Sequence, residues 1–173
     1  MKFPYALLPI FLLGCSAATA TDTDVPTEEI TSMFRKINDT ISVAPQIDLD
    51  DIAAAKAEGM TLIINNRPDG EDPAAPQSAD IEAAARDAGM KYIAIPITHS
   101  GFSGPQVDAM IAALADGDKT LAYCRSGTRS TLLWSLAQAK QGVDPDEIAR
   151  LAGNAGYDIT PVRAMVDALA ARN

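Results

Sequence analysis

Lys119-Thr120-Leu121-Ala122-Tyr123-Cys124-Arg125-Ser126-Gly127-Thr128-Arg129-Ser130-Thr131-Leu132-Leu133-Trp134 reads as a short strand, a tight polar loop and the opening of a helix. Lys119 to Tyr123 favours the extended chain. Gly127 lets the backbone curl without a Cβ penalty, and Ser130 to Lys140 is apolar around most of its circumference, as a buried central helix is. In open α/β sheets such a strand-to-helix junction lies at the carboxyl edge of the sheet. There the first N–H groups of the helix lack partners and face outward.

The same alternation extends upstream. Thr40 to Pro45 favours the extended chain, and Asp48-Leu49-Asp50-Asp51 supplies a cap and first-turn acids for a helix that Gly59 stops. Met60 to Asn65 is an almost continuous apolar run, as a strand covered on both faces is, and Arg67-Pro68-Asp69-Gly70 ends it with turn chemistry. A polar loop runs to Gln77. Ser78 to Ala88 reads as a helix, Lys91 to Ile97 as a strand, His99 to Gly104 as a loop and Val107 to Ala115 as a helix. Asp144-Pro145 and Thr160-Pro161 open two more helices beyond the central one. The fold expected is α/β, a parallel central sheet of about four strands with helices on both faces.

The chain has 173 residues, 47% hydrophobic and 21% charged, which is the balance of one ordinary globular domain and excludes disordered or fibrous classes. Its net charge of −9 disfavours nucleic acid as a partner. Met1-Lys2 and the apolar run Phe3 to Leu13 resemble an export signal, with Ala18-Thr19-Ala20 as a cleavage site. Leu12-Leu13-Gly14-Cys15 reads alternatively as a lipobox, which would leave a lipid anchor on Cys15 as the one contact with a membrane. Residues 1–20 are therefore expected to be a signal peptide, 21–38 a flexible linker and 39–173 the domain, in a periplasmic or exported protein.

Cys15 falls in the targeting segment, so Cys124 has no disulfide partner within the domain. A lone cysteine is usually an inert apolar side chain. The residues after Cys124 give another reading, because a helix N-terminus and neighbouring guanidinium groups favour the nucleophilic thiolate. Arg125, Ser126, Gly127 and Thr128 form an anion-binding loop. Arg129 can grip an oxyanion in bidentate fashion. Ser130 can donate to the sulfur or cap the helix. Asp69 and His99 are candidate acids, and Arg67 a candidate substrate contact. One histidine and no ligand-spaced cluster point away from a metal site, and no cofactor is indicated. The substrate implied is a small anionic or phosphorylated molecule.

The loop from Cys124 to Ser130, with Val43-Ala44-Pro45-Gln46-Ile47 and Ile63-Ile64-Asn65-Asn66-Arg67-Pro68-Asp69-Gly70, resembles the bacterial phosphatase-like domain family of beta-lactamase-hydrolase-like proteins. The resemblance covers residues 41 to about 140 and implies a cysteine-phosphatase-like fold similar to dual-specificity phosphatases. It implies a phosphocysteine on Cys124 and an Arg129 clamp on the phosphoryl oxygens. Two features depart from that pattern. Tyr123 stands where cysteine phosphatases carry histidine, and Cys124 and Arg129 have four residues between them, one fewer than in those enzymes. In length the loop is similar to that of rhodanese sulfurtransferases, which implies a persulfide on Cys124 instead. A non-catalytic anion-binding module is the third reading.

Overall fold

The computed structural model describes residues 33–172. The expected signal peptide, the lipobox at Cys15 and the linker as far as residue 32 lie outside the described residues.

Five strands form one sheet: β1 (Arg35–Lys36), β2 (Ile41–Ala44), β3 (Leu62–Asn65), β4 (Lys91–Ala94) and β5 (Thr120–Tyr123), in the order β1-β2-β5-β3-β4. The β2, β5, β3 and β4 strands are parallel, with Ala44 and Asn65 both in register with Tyr123. The expected four-stranded parallel sheet therefore gains an antiparallel edge strand, β1, paired through Arg35 with Val43. This corrects the linker expectation for residues 33–38. Phe34 and Ile37 are buried and Arg35–Lys36 are paired, because the apolar members of this charged stretch find cover only once the chain is folded.

Between and after the strands lie α1 (Leu49–Ala57), α2 (Ser78–Asp87), α3 (Gly104–Leu114), α4 (Thr128–Lys140), α5 (Pro145–Asn154) and α6 (Arg163–Ala170). A 3-10 turn at Thr160–Val162 precedes α6. Side chains alternate across each strand. Leu62, Ile64 and Ala122 pack with α3, α4, α5 and α6 on one face. Ile63, Leu121 and Tyr123 pack with α1 and α2 on the other. Coverage of both faces explains why β3 reads as an almost continuous apolar run. The α4 helix is the most enclosed, with Leu133, Trp134 and Ala137 each 1% exposed or less.

Asp48 caps α1, accepting from the Asp50 and Asp51 N–H groups while Asp51 accepts from the Asp48 N–H. Asp144 caps α5 through its carboxylate alone, accepting from the Asp146 and Glu147 N–H groups. No described helix is long and apolar enough to cross a membrane.

Candidate active site

The parallel strands end at one edge of the sheet, and three loops meet there. The Gln46 N–H after β2 donates to the Arg125 carbonyl at 3.3 Å, and the Asn66 N–H after β3 donates to the Tyr123 carbonyl at 2.8 Å. Between them sits Cys124, fully buried. Gly127 is the N-cap of α4, with φ +85° and ψ −19°, in the left-handed region that favours glycine. This curl turns the Gly127 N–H back onto the Cys124 sulfur at 3.2 Å. Thr128, Arg129 and Ser130 follow as the first turn of α4, whose N–H groups have no intrahelical carbonyl to bond. Sulfur and helix N-terminus thus occupy one spot, and the helix dipole favours negative charge there.

Arg129 reaches across to the other loops. Its Nη1 donates to Glu71 Oε2 at 2.7 Å and to the Ile97 carbonyl at 2.7 Å, and its Nη2 donates to Glu71 Oε1 at 2.9 Å. These bonds use the end of the guanidinium and leave its Nε–H and one Nη2–H together on the side edge. That edge is the geometry a bidentate oxyanion requires. Partial burial works against the charge on Arg129, but the Glu71 carboxylate and the Cys124 sulfur outweigh it and raise its pKa above the usual value.

Glu71 is held from behind by Arg67, which is 8% exposed. Arg67 Nε donates to Glu71 Oε1 at 3.3 Å and its Nη1 to Gln46 Oε1 at 2.6 Å, with Asp72 at 3.6 Å from Nη2. A cation this buried needs such pairing. The Arg129 hydrogen bonds, opposed by burial and helped by the charges of Arg129 and Arg67, hold the Glu71 carboxyl below its ordinary range. Gln46, Arg67, Glu71 and Arg129 therefore form one relay that ends at the sulfur.

The structure brings Cys124, Arg129 and the loop residues together, and joins Arg67 to them through Glu71. Arg125 and Ser126 are exposed, and the Ser126 and Thr128 hydroxyls bond each other at 3.1 Å. Ser130 is not the helix cap, since Gly127 holds that position; its hydroxyl is buried and has no hydrogen-bond partner among the described residues. The Asp69 carboxylate accepts the Ser78 N–H at 2.8 Å and so anchors the start of α2. His99 is exposed in the loop between β4 and α3. Sequence reasoning missed Glu71 and Gln46. The only signal for Glu71 was a carboxylate four residues after Arg67, in a segment with no periodicity. Among the described residues no group of histidine, cysteine and carboxylate side chains could hold a metal ion.

Residues 33–141 match the family described as beta-lactamase hydrolase-like protein, phosphatase-like domain. The chain belongs to this family. It is 32% identical over 125 residues to the beta-lactamase hydrolase-like protein of Xylella fastidiosa (strain Temecula1 / ATCC 700964), a match covering 71% of this chain and 29% of that protein. The chain thus spans less than a third of the length of the curated relatives it matches. Among solved structures, a candidate phosphatase from Neisseria meningitidis Z2491 is 30% identical, with a TM-score of 0.69, and the match covers 80% of this chain and 99% of that one. PTPMT1, solved in complex with PI(5)P, shares the fold with a TM-score of 0.60 at 11% identity, covering 82% of this chain and 99% of that one. The architecture is that of cysteine phosphatases, and the family is phosphatase-like.

Proposed function

We propose that the domain is a cysteine-dependent phosphatase-like hydrolase acting on a phosphorylated substrate. One observation carries this reading: the Cys124 sulfur lies where the Gly127 N–H, the first turn of α4 and the Arg129 guanidinium converge. A phosphoryl group there would place its oxygens on the loop N–H groups and on the side edge of Arg129, which at rest faces the sulfur. The thiolate attacks phosphorus, the S–P bond forms as the P–O bond to the leaving group breaks, and water then displaces the sulfur to release phosphate. We assign to Ser130 the hydrogen bond to the departing sulfur in that second step; its buried hydroxyl bonds no described group at rest and would turn to the sulfur only then. The fold neighbour crystallised with PI(5)P supports a phosphorylated substrate class.

The leaving group needs a proton. Asp69 is occupied at α2 and His99 stands in solvent, so we assign neither as the acid. Rates should then depend steeply on leaving-group acidity, with aryl phosphates far ahead of alkyl phosphates. Phosphate release from p-nitrophenyl phosphate, a trapped phosphocysteine at Cys124 and loss of both in Cys124→Ser are the expected results.

A second reading is favoured by one feature: the short loop closes around a fully buried sulfur, leaving a tighter ring than a phosphoryl group ordinarily receives. Mass spectrometry after thiosulfate treatment decides it. A gain of one sulfur on Cys124 that cyanide removes, without phosphate release, would make the domain a sulfurtransferase. Export belongs to the same proposal, resting on the Met1 to Ala20 segment, and the mass of the protein recovered from the cell envelope tests it.

A further inference from the structure

We propose that Tyr157 is a positioning residue for the Cys124 loop: its hydroxyl clamps the Ser126–Gly127 peptide and thereby holds the Gly127 N–H on the sulfur. This extends the reading of Cys124 as the working nucleophile, and it concerns a residue beyond the family match, which ends at 141.

The geometry lies in one peptide plane. A trans peptide points its C=O and N–H to opposite sides, and no cis peptide occurs among the described residues. On one side the Tyr157 hydroxyl donates to the Ser126 carbonyl at 3.2 Å. On the other the Gly127 N–H donates to Cys124 Sγ at 3.2 Å. Rotating this plane would break both bonds and turn a carbonyl dipole toward a thiolate or a bound oxyanion, which is repulsive. The contact is close as well as directional, since a Cβ on Gly127 would lie 2.0 Å from the Tyr157 hydroxyl oxygen and 2.7 Å from Cζ.

Tyr157 is itself held. Its N–H donates to the Ala152 carbonyl at 2.9 Å. The Arg35 guanidinium stacks over its ring at 5.5 Å from the centroid and donates to the Ala155 carbonyl at 3.5 Å. Gly156 makes room for this, having φ +82° and a position where a Cβ would come within 2.6 Å of Arg35 Nη1. The pin therefore runs from β1 through the ring to the loop. Burial raises the phenol above its ordinary pKa, against the opposing Arg35 charge and with a smaller push from the neighbouring sulfur, so it remains an O–H donor at neutral pH. The charged groups around the sulfur are Arg129, backed by Glu71, and Arg35 behind the Tyr157 ring, with Arg125 exposed alongside.

Tyr157→Phe removes only the hydroxyl. The expected result is faster hydrogen exchange and a changed proton shift for the Gly127 amide by NMR, with alkylation of Cys124 by iodoacetamide slowed ~3–10-fold, the scale of one lost neutral hydrogen bond. Arg35→Met should move both readouts in the same direction by less. Wild-type values for the Gly127 amide and for alkylation in Tyr157→Phe would overturn the proposal. Alkylation consumes no phosphoester, so this result stands apart from the fate of the hydrolase reading.

Discussion

The loop that leaves β5 and the loop that leaves β3 end at the same edge of the sheet but are stabilised differently. The first is short and holds itself: Gly127 caps α4, its carbonyl accepts from the Thr131 N–H and hydroxyl at 3.0 Å each, and its N–H meets the sulfur three residues back. The second, residues 66–77, is long and held by side chains. Asp69 bonds Ser78, Gln77 accepts from the Gly70 N–H and donates to the Asp72 and Ala75 carbonyls, and Arg67 and Glu71 reach other loops. Cys124 thus sits on a turn bonded largely within itself and met from outside by Tyr157 and Gln46, while the arginine is aimed by a loop that needs the whole fold.

Breaking the link between the two loops should have the largest effect. Arg129→Lys keeps the charge but not the planar fork, and cannot bond Glu71 and an oxyanion edge together. Phosphoester turnover should fall ~10²–10³-fold, the scale for losing a preorganised oxyanion donor, with the fold retained by circular dichroism.

Gly127→Ala attacks the self-held loop. It places a Cβ in the left-handed region at φ +85° and against Tyr157. Urea unfolding should show a loss of about 2 kcal/mol or more, where alanine substitutions in the 66–77 loop cost less.

Glu71→Gln sharpens the comparison from the other side, freeing Arg129 to swing and lowering turnover ~10-fold. Its pH dependence has a definite sign. The folded carboxyl lies below its unfolded value of about 4.3, so its stabilising contribution is fully present above that pH and is lost as pH falls through the lower folded value. Denaturation curves of the wild type and Glu71→Gln should differ near neutrality and converge in strong acid.

The smallest effect is expected for Asp69→Asn. An amide oxygen can still accept the Ser78 N–H, so turnover should change less than ~2-fold; a drop of ~10²–10⁴-fold would instead mark Asp69 as the general acid.

Strand and helix positions were legible because their patterns are local. The apolar run through Ile63 and Ile64, the capping acids at Asp48 and Asp51, and the strand-loop-helix junction at Cys124 are each written in consecutive residues. β1 was not, since two charged residues earn a place in a sheet only by pairing with Val43 and Ser42. The same reason hid Glu71 and Tyr157, which lie 58 and 30 residues from Arg129 and Gly127 and have no local pattern of their own.

By itself the sequence determined a cysteine-bearing turn at the carboxyl edge of a parallel sheet, because hydrophobic period, glycine conformation and helix-terminus electrostatics act over a few residues. Only the tertiary structure decided what surrounds that turn: Glu71 and Arg67 aiming Arg129, Asp69 withdrawn to α2, and Tyr157 pressed on Gly127. Those are pairings between distant side chains, and which partner a buried charge or hydroxyl finds depends on how loops of unrelated sequence come together.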